Sequence, residues 1–471
     1  MPGRTDYALE ERALDSSHAD ELAGELEGAL DQILSTWFPR CLDLEHGGFL
    51  SDFDYKWRPD GPQQKMLEYQ ARMLRLLARA SAYPRFSWCT KYAEHAFHYL
   101  RDVMWDREYG GWYRLLERAG KLLEAETKHG HGASYGIAGC AAYYQLTGET
   151  QALELAKDAY QWLEDAAHDP KYGGYFALYQ RDGTQINSTK DSPIPGLNRD
   201  CIGTPPGLKD ANTNADMLET LVDLYEVFPS KLIGERSVEM LHIVRDRMTV
   251  PPGAVHMYCQ PDWTPVPDIS RYSYALNTSN ILAKAARSSG LEPEKERTEV
   301  VAKSLVDSVL RYGWDNRRGG FFYGGSTFGP TYVEDIIVFV DGKFWWPHQE
   351  RHFIVAPELN VGFRQIPVLE REQHVAVEMA GGESGTNGLF NLRGQFLTDF
   401  ADFTFAVFRT AKEISRLINQ AGARLAPEYR APAIFFPFTG EREMDAEIAS
   451  RITFCIFRSL TKPWTRHHRA G

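Results

Sequence analysis

A short phrase of two glycines followed by aromatic residues recurs along the chain, and its spacing is the strongest constraint on the fold. The clear copies begin at Gly47, Gly110, Gly173 and Gly319. The first three are 63 residues apart, and the last interval of 146 residues is about two periods with room for a loop. A fixed period of this kind is typical of repeat architectures, in which each period is one supersecondary unit.

Each clear copy has an aspartate four residues before its first glycine: Asp43, Asp106, Asp169 and Asp315. Aspartate can bond its own backbone and glycine takes positive φ without strain, so the phrase predicts a turn that enters a short strand. In the first two copies a lysine, Lys65 or Lys128, follows the second glycine by 17 residues. A helical pattern begins after each lysine.

The segments between the phrases carry apolar residues at helical spacing and come in pairs. Helices are predicted over 19–37, 66–80, 88–104, 132–146, 149–166, 210–227, 230–247, 272–288, 293–312, 343–356 and 395–418. Two helices per unit, repeated about six times, predict an all-α fold, an (α/α)6 toroid with short β-hairpins at one end.

The period also predicts the domain organisation. A single barrel domain is expected over residues 15–420, followed by a C-terminal extension over 421–471. Insertions are expected near 177–208 and 357–394, and a loop over the mouth of the ring is one interpretation of the first.

Composition excludes several classes of protein. The chain has 471 residues, with 52 basic and 64 acidic side chains and a net charge of −12, which disfavours nucleic-acid binding. It contains no apolar run long enough to span a membrane and no apolar segment near its start, so a cytoplasmic protein is expected. Six widely spaced cysteines predict buried thiols rather than disulfides or a zinc site: Cys41, Cys89, Cys140, Cys201, Cys259 and Cys455.

Three segments within about residues 20–360 resemble the superfamily of N-acylglucosamine 2-epimerases, cellobiose 2-epimerases and mannose isomerases. Residues 343–350 read KFWWPHQE, which is similar to that superfamily's K-x-W-W-P-H-x-E signature. Residues 60–72, which include Lys65 and Gln70-Ala71-Arg72, are similar to its D-G-x-x-x-K…Q-A-R segment. Residues 209–219 are similar to its K-x-x-N-x-x-x-H-x-x-E segment.

The resemblance implies an (α/α)6 barrel that interconverts aldoses with their 2-epimers or with ketoses. It implies a small sugar-like substrate, no metal or redox cofactor, and a homodimer, since relatives are often dimers. The proton next to an open-chain aldehyde must be removed and returned, which calls for groups that titrate near about pH 7. The enediolate oxygen also needs hydrogen-bond donors, and aromatic faces can hold the sugar.

The chain departs from the family at its catalytic histidines. Asn212 matches the family's segment, but Asp216 stands at its histidine position. Tyr274 and Asn277 stand where the family has H-x-x-E, and residues 383–420 contain no counterpart of its C-terminal histidine. The family's histidine set therefore cannot be carried over.

One histidine offers compensation. In the segment KHGHGASY over 128–135, His131 stands at the position of a pocket tyrosine in relatives. The resemblance therefore implies that tyrosine and histidine are exchanged across the site. On a helix beginning near Asp210, Asp216 shares a face with Asn212 and Glu219. An inward carboxylate is costly unless it is paired or functional. The decisive question is whether His131 faces Asp216 or Tyr274.

These considerations define the candidate site. The predicted catalytic residues are His131, Asp216, Tyr274 and His348; the predicted substrate-binding residues are Arg72, Tyr135, Asn212, Asn277, Trp346 and Glu350; no metal ligand is predicted. Each has a structural alternative, such as a surface salt bridge for Arg72, core packing for Trp346 and an exposed turn for His131.

The leading hypothesis is a carbohydrate isomerase or epimerase with an altered acid/base set. A glycoside hydrolase on the same scaffold would use two of Asp216, Glu219 and Glu350, and a lyase would use Tyr274 with Asn277. The acidic balance weighs against polyuronate substrates. A non-catalytic sugar-binding relative and an enzyme recruited to another small-molecule reaction are the remaining alternatives.

Overall fold

The structure, a computed structural model, describes residues 16–54, 57–122, 127–194, 196–266, 270–313, 321–322 and 324–325. Over these residues the chain forms nine α-helices, each within a predicted helical segment or within a few residues of one. They are α1 (Ser16–Trp37), α2 (Leu67–Ser81), α3 (Thr90–Tyr99), α4 (Gly130–Thr147), α5 (Thr150–Ala167), α6 (Ala211–Val227), α7 (Lys231–Ile243), α8 (Tyr272–Ala285) and α9 (Lys295–Tyr312). The helices predicted at 343–356 and 395–418 lie outside the described residues.

The helices pack as consecutive pairs, α2 with α3, α4 with α5, α6 with α7 and α8 with α9. The first helix of each pair also packs against the first helix of the next, so α2, α4, α6 and α8 form an inner row. Almost every residue of α2 is buried, whereas α5 buries a single apolar stripe. Helices covered on several sides belong to the interior, and amphipathic ones to the periphery.

Glycines on α4 allow the inner row to pack closely. Gly132, Gly136 and Gly139 follow one another at helical spacing on one face. A Cβ atom on Gly139 would lie 2.9 Å from the carbonyl oxygen of Ala71 in α2, and one on Gly136 would lie 2.5 Å from the Trp112 ring. Both positions are therefore too close to a neighbour to carry a side chain.

Short antiparallel strands lie at the N-terminal ends of the inner helices, so the short β-structure lies at one end as predicted, although most of these pairs join strands that are distant in the sequence rather than hairpins. The strand before each inner helix pairs with a strand that follows the next outer helix: β1 (Lys65–Met66) with β2 (Leu115–Leu116), β3 (Thr127–His129) with β4 (Leu178–Gln180), β5 (Lys209–Asp210) with β8 (Tyr258–Cys259), and β10 (Ser270–Arg271) with β11 (Gly324–Gly325). β6 (Thr249–Val250) pairs with β7 (Ala254–Val255), and β9 (Pro265–Val266) pairs with β8.

The repeated Asp-x-x-x-Gly-Gly phrase forms the same turn three times within the described residues. In the first, Asp43 donates its backbone N–H to Gly48 at 3.1 Å, and Gly47 returns one to Asp43 at 2.9 Å. The Asp43 carboxylate receives the buried Lys65 ammonium at 2.9 Å. Lys128 and Lys209 bind Asp106 and Asp169 in the same way, at 3.0 and 2.7 Å. We refer to each turn with its lysine as a clasp.

The aromatic residue after each pair of glycines forms a single β-bridge, as between Leu42 and Phe49. The sequence predicts a short strand after each pair of glycines, but the structure has only one residue in a β-bridge there. The fourth phrase falls largely outside the described residues, as do the insertion predicted near 357–394 and the extension over 421–471. The predicted domain boundaries stay predictions.

The cysteine prediction is correct for four thiols and wrong for one. Cys41, Cys89, Cys140 and Cys259 are buried and free, whereas Cys201 is free but exposed. Cys201 lies in the polar, proline-rich insertion, outside the helices and strands. Cys455 lies outside the described residues. Among the helices that the structure describes, none is both long enough and apolar enough to cross a membrane.

Candidate active site

The N-terminal turns of the inner helices bring several predicted site residues together. Arg72 comes from α2, His131 and Tyr135 lie one turn apart on α4, and Asp216 lies on α6. All four side chains are buried. Since these three helices are neighbours in the inner row, their facing sides meet at one point.

A chain of direct contacts joins these residues. The Nε2 atom of His131 lies 2.9 Å from Oδ2 of Asp216, and the Tyr135 hydroxyl donates to the same oxygen at 2.9 Å. Arg72 donates to the Tyr135 hydroxyl, and its guanidinium lies 4.0 Å from the centre of the tyrosine ring. His131 therefore faces Asp216, which answers the question that the sequence leaves open.

Burial and neighbouring charges set the ionisation of this cluster. Burial raises the pKa of the Tyr135 hydroxyl well above its usual value, so it remains a proton donor. Burial alone would lower the pKa of His131, but the hydrogen bond to Asp216 and the nearby Glu68 carboxylate raise it to about 9. His131 is thus protonated at neutral pH, and it lies in a buried contact with Asp216.

Three further residues adjoin this cluster that sequence reasoning did not select. Glu68 lies one turn before Arg72 on α2, and its carboxylate is 3.9 Å from Nδ1 of His131. His129 precedes α4, and its Nε2 atom lies 3.0 Å from the Asp200 carboxylate, both side chains being buried. Helical spacing from Arg72 could have indicated Glu68. Nothing in the sequence pattern links Asp200 to a histidine 71 residues away.

The contact between His129 and Asp200 also shows where part of the segment 177–208, predicted as an insertion, lies. Asp200 reaches the N-terminal end of α4, and the Tyr258 hydroxyl donates to the carbonyl of Gly203 at 3.0 Å. The insertion therefore packs against the strand-bearing end of the inner row. The interpretation of the segment as a loop over the mouth of the ring stays a prediction.

A second cluster of charges lies further along the inner helices. Arg75 contacts Glu219 at 2.5 Å and Asp223 at 2.6 Å, and Lys284 from α8 contacts the same two carboxylates at 2.9 and 2.5 Å. Burial raises the pKa of Glu219, but Arg75 and Lys284 outweigh it and hold the pKa well below its usual value. Glu219 is thus an ion-paired carboxylate that links three inner helices.

The remaining predicted residues do not join the His131 cluster by any direct contact that the structure describes. Asn212 and Asn277 make no side-chain hydrogen bond to another described residue, and Asn277 is half-buried. Tyr274 lies on α8 with its ring 5.9 Å from the Arg271 guanidinium. The candidates Trp346, His348 and Glu350 lie outside the described residues.

Comparisons with known proteins agree with this architecture. Residues 47–186 match the family model for N-acylglucosamine 2-epimerase (GlcNAc 2-epimerase). The chain is 23% identical over 327 residues to cellobiose 2-epimerase of Bacteroides fragilis, covering 68% of this chain and 77% of that one. It is also 23% identical over 344 residues to D-mannose isomerase of Marinomonas mediterranea, covering 69% and 77%.

Solved structures show the fold. Cellobiose 2-epimerase from Bacillus thermoamylovorans B4167 superposes with a TM-score of 0.62 at 16% identity, covering 81% of this chain and 99% of that one. A family 76 mannosidase from Bacteroides thetaiotaomicron superposes with a TM-score of 0.50 at 9% identity, covering 82% and 98%. These neighbours are (α/α)6 toroids, which confirms the predicted fold class. The sequence matches show that the chain is similar to sugar 2-epimerases and to a mannose isomerase.

Proposed function

We propose that this protein is a carbohydrate epimerase or isomerase that moves the proton next to the carbonyl carbon of an open-chain aldose. The observation that carries the proposal is the contact between His131 and Asp216, made at 2.9 Å between two inner helices. The relatives named above are 2-epimerases and an isomerase of sugars, which supports the same reaction class.

The cluster contains the groups that this chemistry requires. The His131–Asp216 pair offers a proton acceptor and a proton donor at one point, so it can take the C2 proton and return it. The Arg72 guanidinium supplies a donor and positive charge for the enediolate oxygen, and the Tyr135 hydroxyl, which donates to Asp216, holds that carboxylate in place. Return of the proton to C2 on the other face gives the 2-epimer, and return to C1 gives the ketose.

Isotope exchange tests the reaction directly. Cellobiose, mannose and an N-acylglucosamine are each incubated with the protein in heavy water, and deuterium at C2 is followed by NMR. We expect exchange with at least one sugar, and its loss in Asp216→Asn and His131→Ala. His98→Ala and Asp158→Asn, at exposed positions of outer helices, are the matched controls and should retain full exchange.

Two results would overturn the proposal. One is the absence of C2 exchange across a broad panel of aldoses. The other is normal exchange in both Asp216→Asn and His131→Ala, since it would place the reaction elsewhere. Tight sugar binding without exchange would instead support a non-catalytic sugar-binding protein.

Glycosidic cleavage is less well supported by the described residues. A hydrolase needs two opposed carboxylates about 5–9.5 Å apart, one of them able to carry a proton. Glu219 is held by Arg75 and Lys284 with a lowered pKa, so it does not meet that requirement. The likeness to the mannosidase concerns the fold alone. The lyase alternative is not supported by any contact that the structure describes between Tyr274 and the His131 cluster.

A further inference from the structure

Two histidines and a glutamate converge beside the candidate active site. Glu68 lies on α2, His129 ends β3 and His131 opens α4. One potential ligand atom from each lies within 4.8 Å of the others. The three side chains are 2%, 1% and 5% exposed, so the cluster is closed off from bulk solvent.

Four buried polar atoms of this cluster have no hydrogen-bond partner among the described residues. They are both carboxylate oxygens of Glu68, Nδ1 of His129 and Nδ1 of His131. Of these, Nδ1 of His131 lies 3.9 Å from Oε1 of Glu68. Buried polar atoms are nearly always paired, because losing water without a replacement contact is costly. Four such atoms from three residues, all at one place, indicate that a further partner binds there.

The other nitrogen of each imidazole is already held by a carboxylate. Nε2 of His129 lies 3.0 Å from Asp200, and Nε2 of His131 lies 2.9 Å from Asp216. A metal ion that binds Nδ1 displaces the proton from that nitrogen, while Nε2 keeps its proton and donates it to the carboxylate. Carboxylates orient metal-binding histidines in this way throughout metalloproteins.

We propose that Glu68, His129 and His131 bind a divalent transition-metal ion. Two imidazoles and one carboxylate form a ligand set typical of zinc and non-haem iron sites that keep a coordination position open. Bonds of about 2.1 Å in tetrahedral geometry place ligand atoms about 3.4 Å apart, so binding draws the three side chains together. The site departs from the cofactor-free chemistry that the family resemblance implies.

The site would act next to the proton-transfer pair. His131 belongs to both clusters, so a bound ion would lie on the opposite side of its ring from Asp216. A metal at that point can polarise a sugar oxygen as a Lewis acid. The proposal does not depend on the sugar reaction, because metal binding is measured without any sugar.

Cobalt provides the test. The full-length protein is stripped with a chelator, dialysed and titrated with Co²⁺, and visible d–d absorption is recorded together with the thermal unfolding midpoint. We expect one equivalent to bind, with the absorption of a four- or five-coordinate site and a raised midpoint, since a ligand that binds only the folded state stabilises it. Zinc should displace the cobalt signal.

Variants separate this site from other metal-binding surfaces. Glu68→Gln keeps the side-chain volume, and His129→Asn keeps a polar group against Asp200; each should lower the affinity for Co²⁺ by at least tenfold while circular dichroism shows an intact fold. His98→Ala, which removes an exposed histidine from α3, is the control and should bind as the wild type does. Absence of a stoichiometric d–d spectrum, or unchanged Co²⁺ binding in both site variants, would overturn the proposal. In that case a proton shared between His131 and Glu68 would account for the unpartnered atoms.

Discussion

Tyr135 joins three inner helices through one hydroxyl group. Its ring belongs to α4, its oxygen accepts a hydrogen bond from Arg72 on α2, and its proton is donated to Asp216 on α6. Because Asp216 also binds His131, the hydroxyl fixes the carboxylate that the proposed proton transfer uses. A residue at this position affects both the arrangement of the site and its charge.

Tyr135→Phe isolates the contribution of that hydroxyl. We expect a loss of about 10- to 100-fold in kcat/KM for C2 exchange, because a donor to the site is removed. The free energy of unfolding should fall by only about 1–2 kcal/mol. Measurements of exchange kinetics and urea unfolding check both values.

Tyr143→Phe is the matched control for this prediction. Tyr143 lies on the same helix, is 6% exposed, and stacks on Phe97 with ring centres 4.9 Å apart. Its replacement should leave exchange kinetics unchanged. Equal losses of activity in the two variants would show that the effect of Tyr135→Phe is a general disturbance of α4.

Helix α4 shows how an element with a weak amphipathic pattern becomes part of the interior. Its glycines have no side chains at the positions where α2 and the Trp112 ring approach. The backbone of α2 and the Trp112 ring occupy the space that a side chain on α4 would take. The close approach of α4 to α2 in turn brings His131 and Tyr135 within reach of Glu68 and Arg72. The packing of α4 on α2 therefore also brings the site residues together.

Gly136→Ala tests this packing. The new Cβ atom would lie 2.5 Å from the Trp112 ring, so we expect a loss of about 1–3 kcal/mol in the free energy of unfolding. Gly28→Ala in α1, where nothing lies within 4 Å, should instead stabilise the protein by up to about 1 kcal/mol. Opposite signs in urea unfolding would support the argument, and a stabilising Gly136→Ala would contradict it.

Much of the fold could be predicted from the sequence because its signals are local. The 63-residue period and the helical spacing of apolar residues place the helix pairs, and the aspartate-to-glycine spacing places the turns. Helical spacing also predicts that Asp216 shares a face with Asn212 and Glu219, whereas Arg72 and His131 are indicated by the family resemblance.

The remaining features depend on contacts between distant parts of the chain. The pairing of Asp200 with His129 depends on the path of a long insertion, which has no periodic pattern. The contact of Glu219 with Arg75 joins residues 144 positions apart. Such pairs form only when the helices of the inner row pack together. Spacing along one helix could therefore suggest Glu219 as a catalytic carboxylate, but it could not reveal the ion pair with Arg75.

At the scale of the whole molecule, ion pairs link helices that are far apart in the sequence. Burial raises the pKa of Asp223, but Lys284, Arg79 and Arg75 outweigh it and lower the pKa to about 2. A carboxylate with a lower pKa in the folded state stabilises the protein above its unfolded pKa of about 3.9. That stabilisation is lost as the pH falls through about 2.

Acid unfolding should therefore depend on this network. Between pH 5 and pH 2 we expect Asp223 to account for a loss of roughly 2 kcal/mol in the free energy of unfolding. Asp223→Asn should be less stable at neutral pH and should show a shallower acid dependence in urea unfolding. Asp158→Asn, at an exposed position of α5, should keep the wild-type slope. An unchanged slope in Asp223→Asn would contradict the prediction.

The clasps make the repeated units mutually dependent. Asp43 binds Lys65, which leads into α2, and also Arg118, which follows the next outer helix, at 2.8 Å; Asp106 binds Lys128 and Arg181 in the same arrangement. The charge of each of these two buried aspartates is thus neutralised by a lysine and an arginine that follow it in the sequence. Because Arg118 and Arg181 come from beyond the next phrase, each of these units carries a counter-charge of the unit before it, and the stability of one unit depends on the presence of the next.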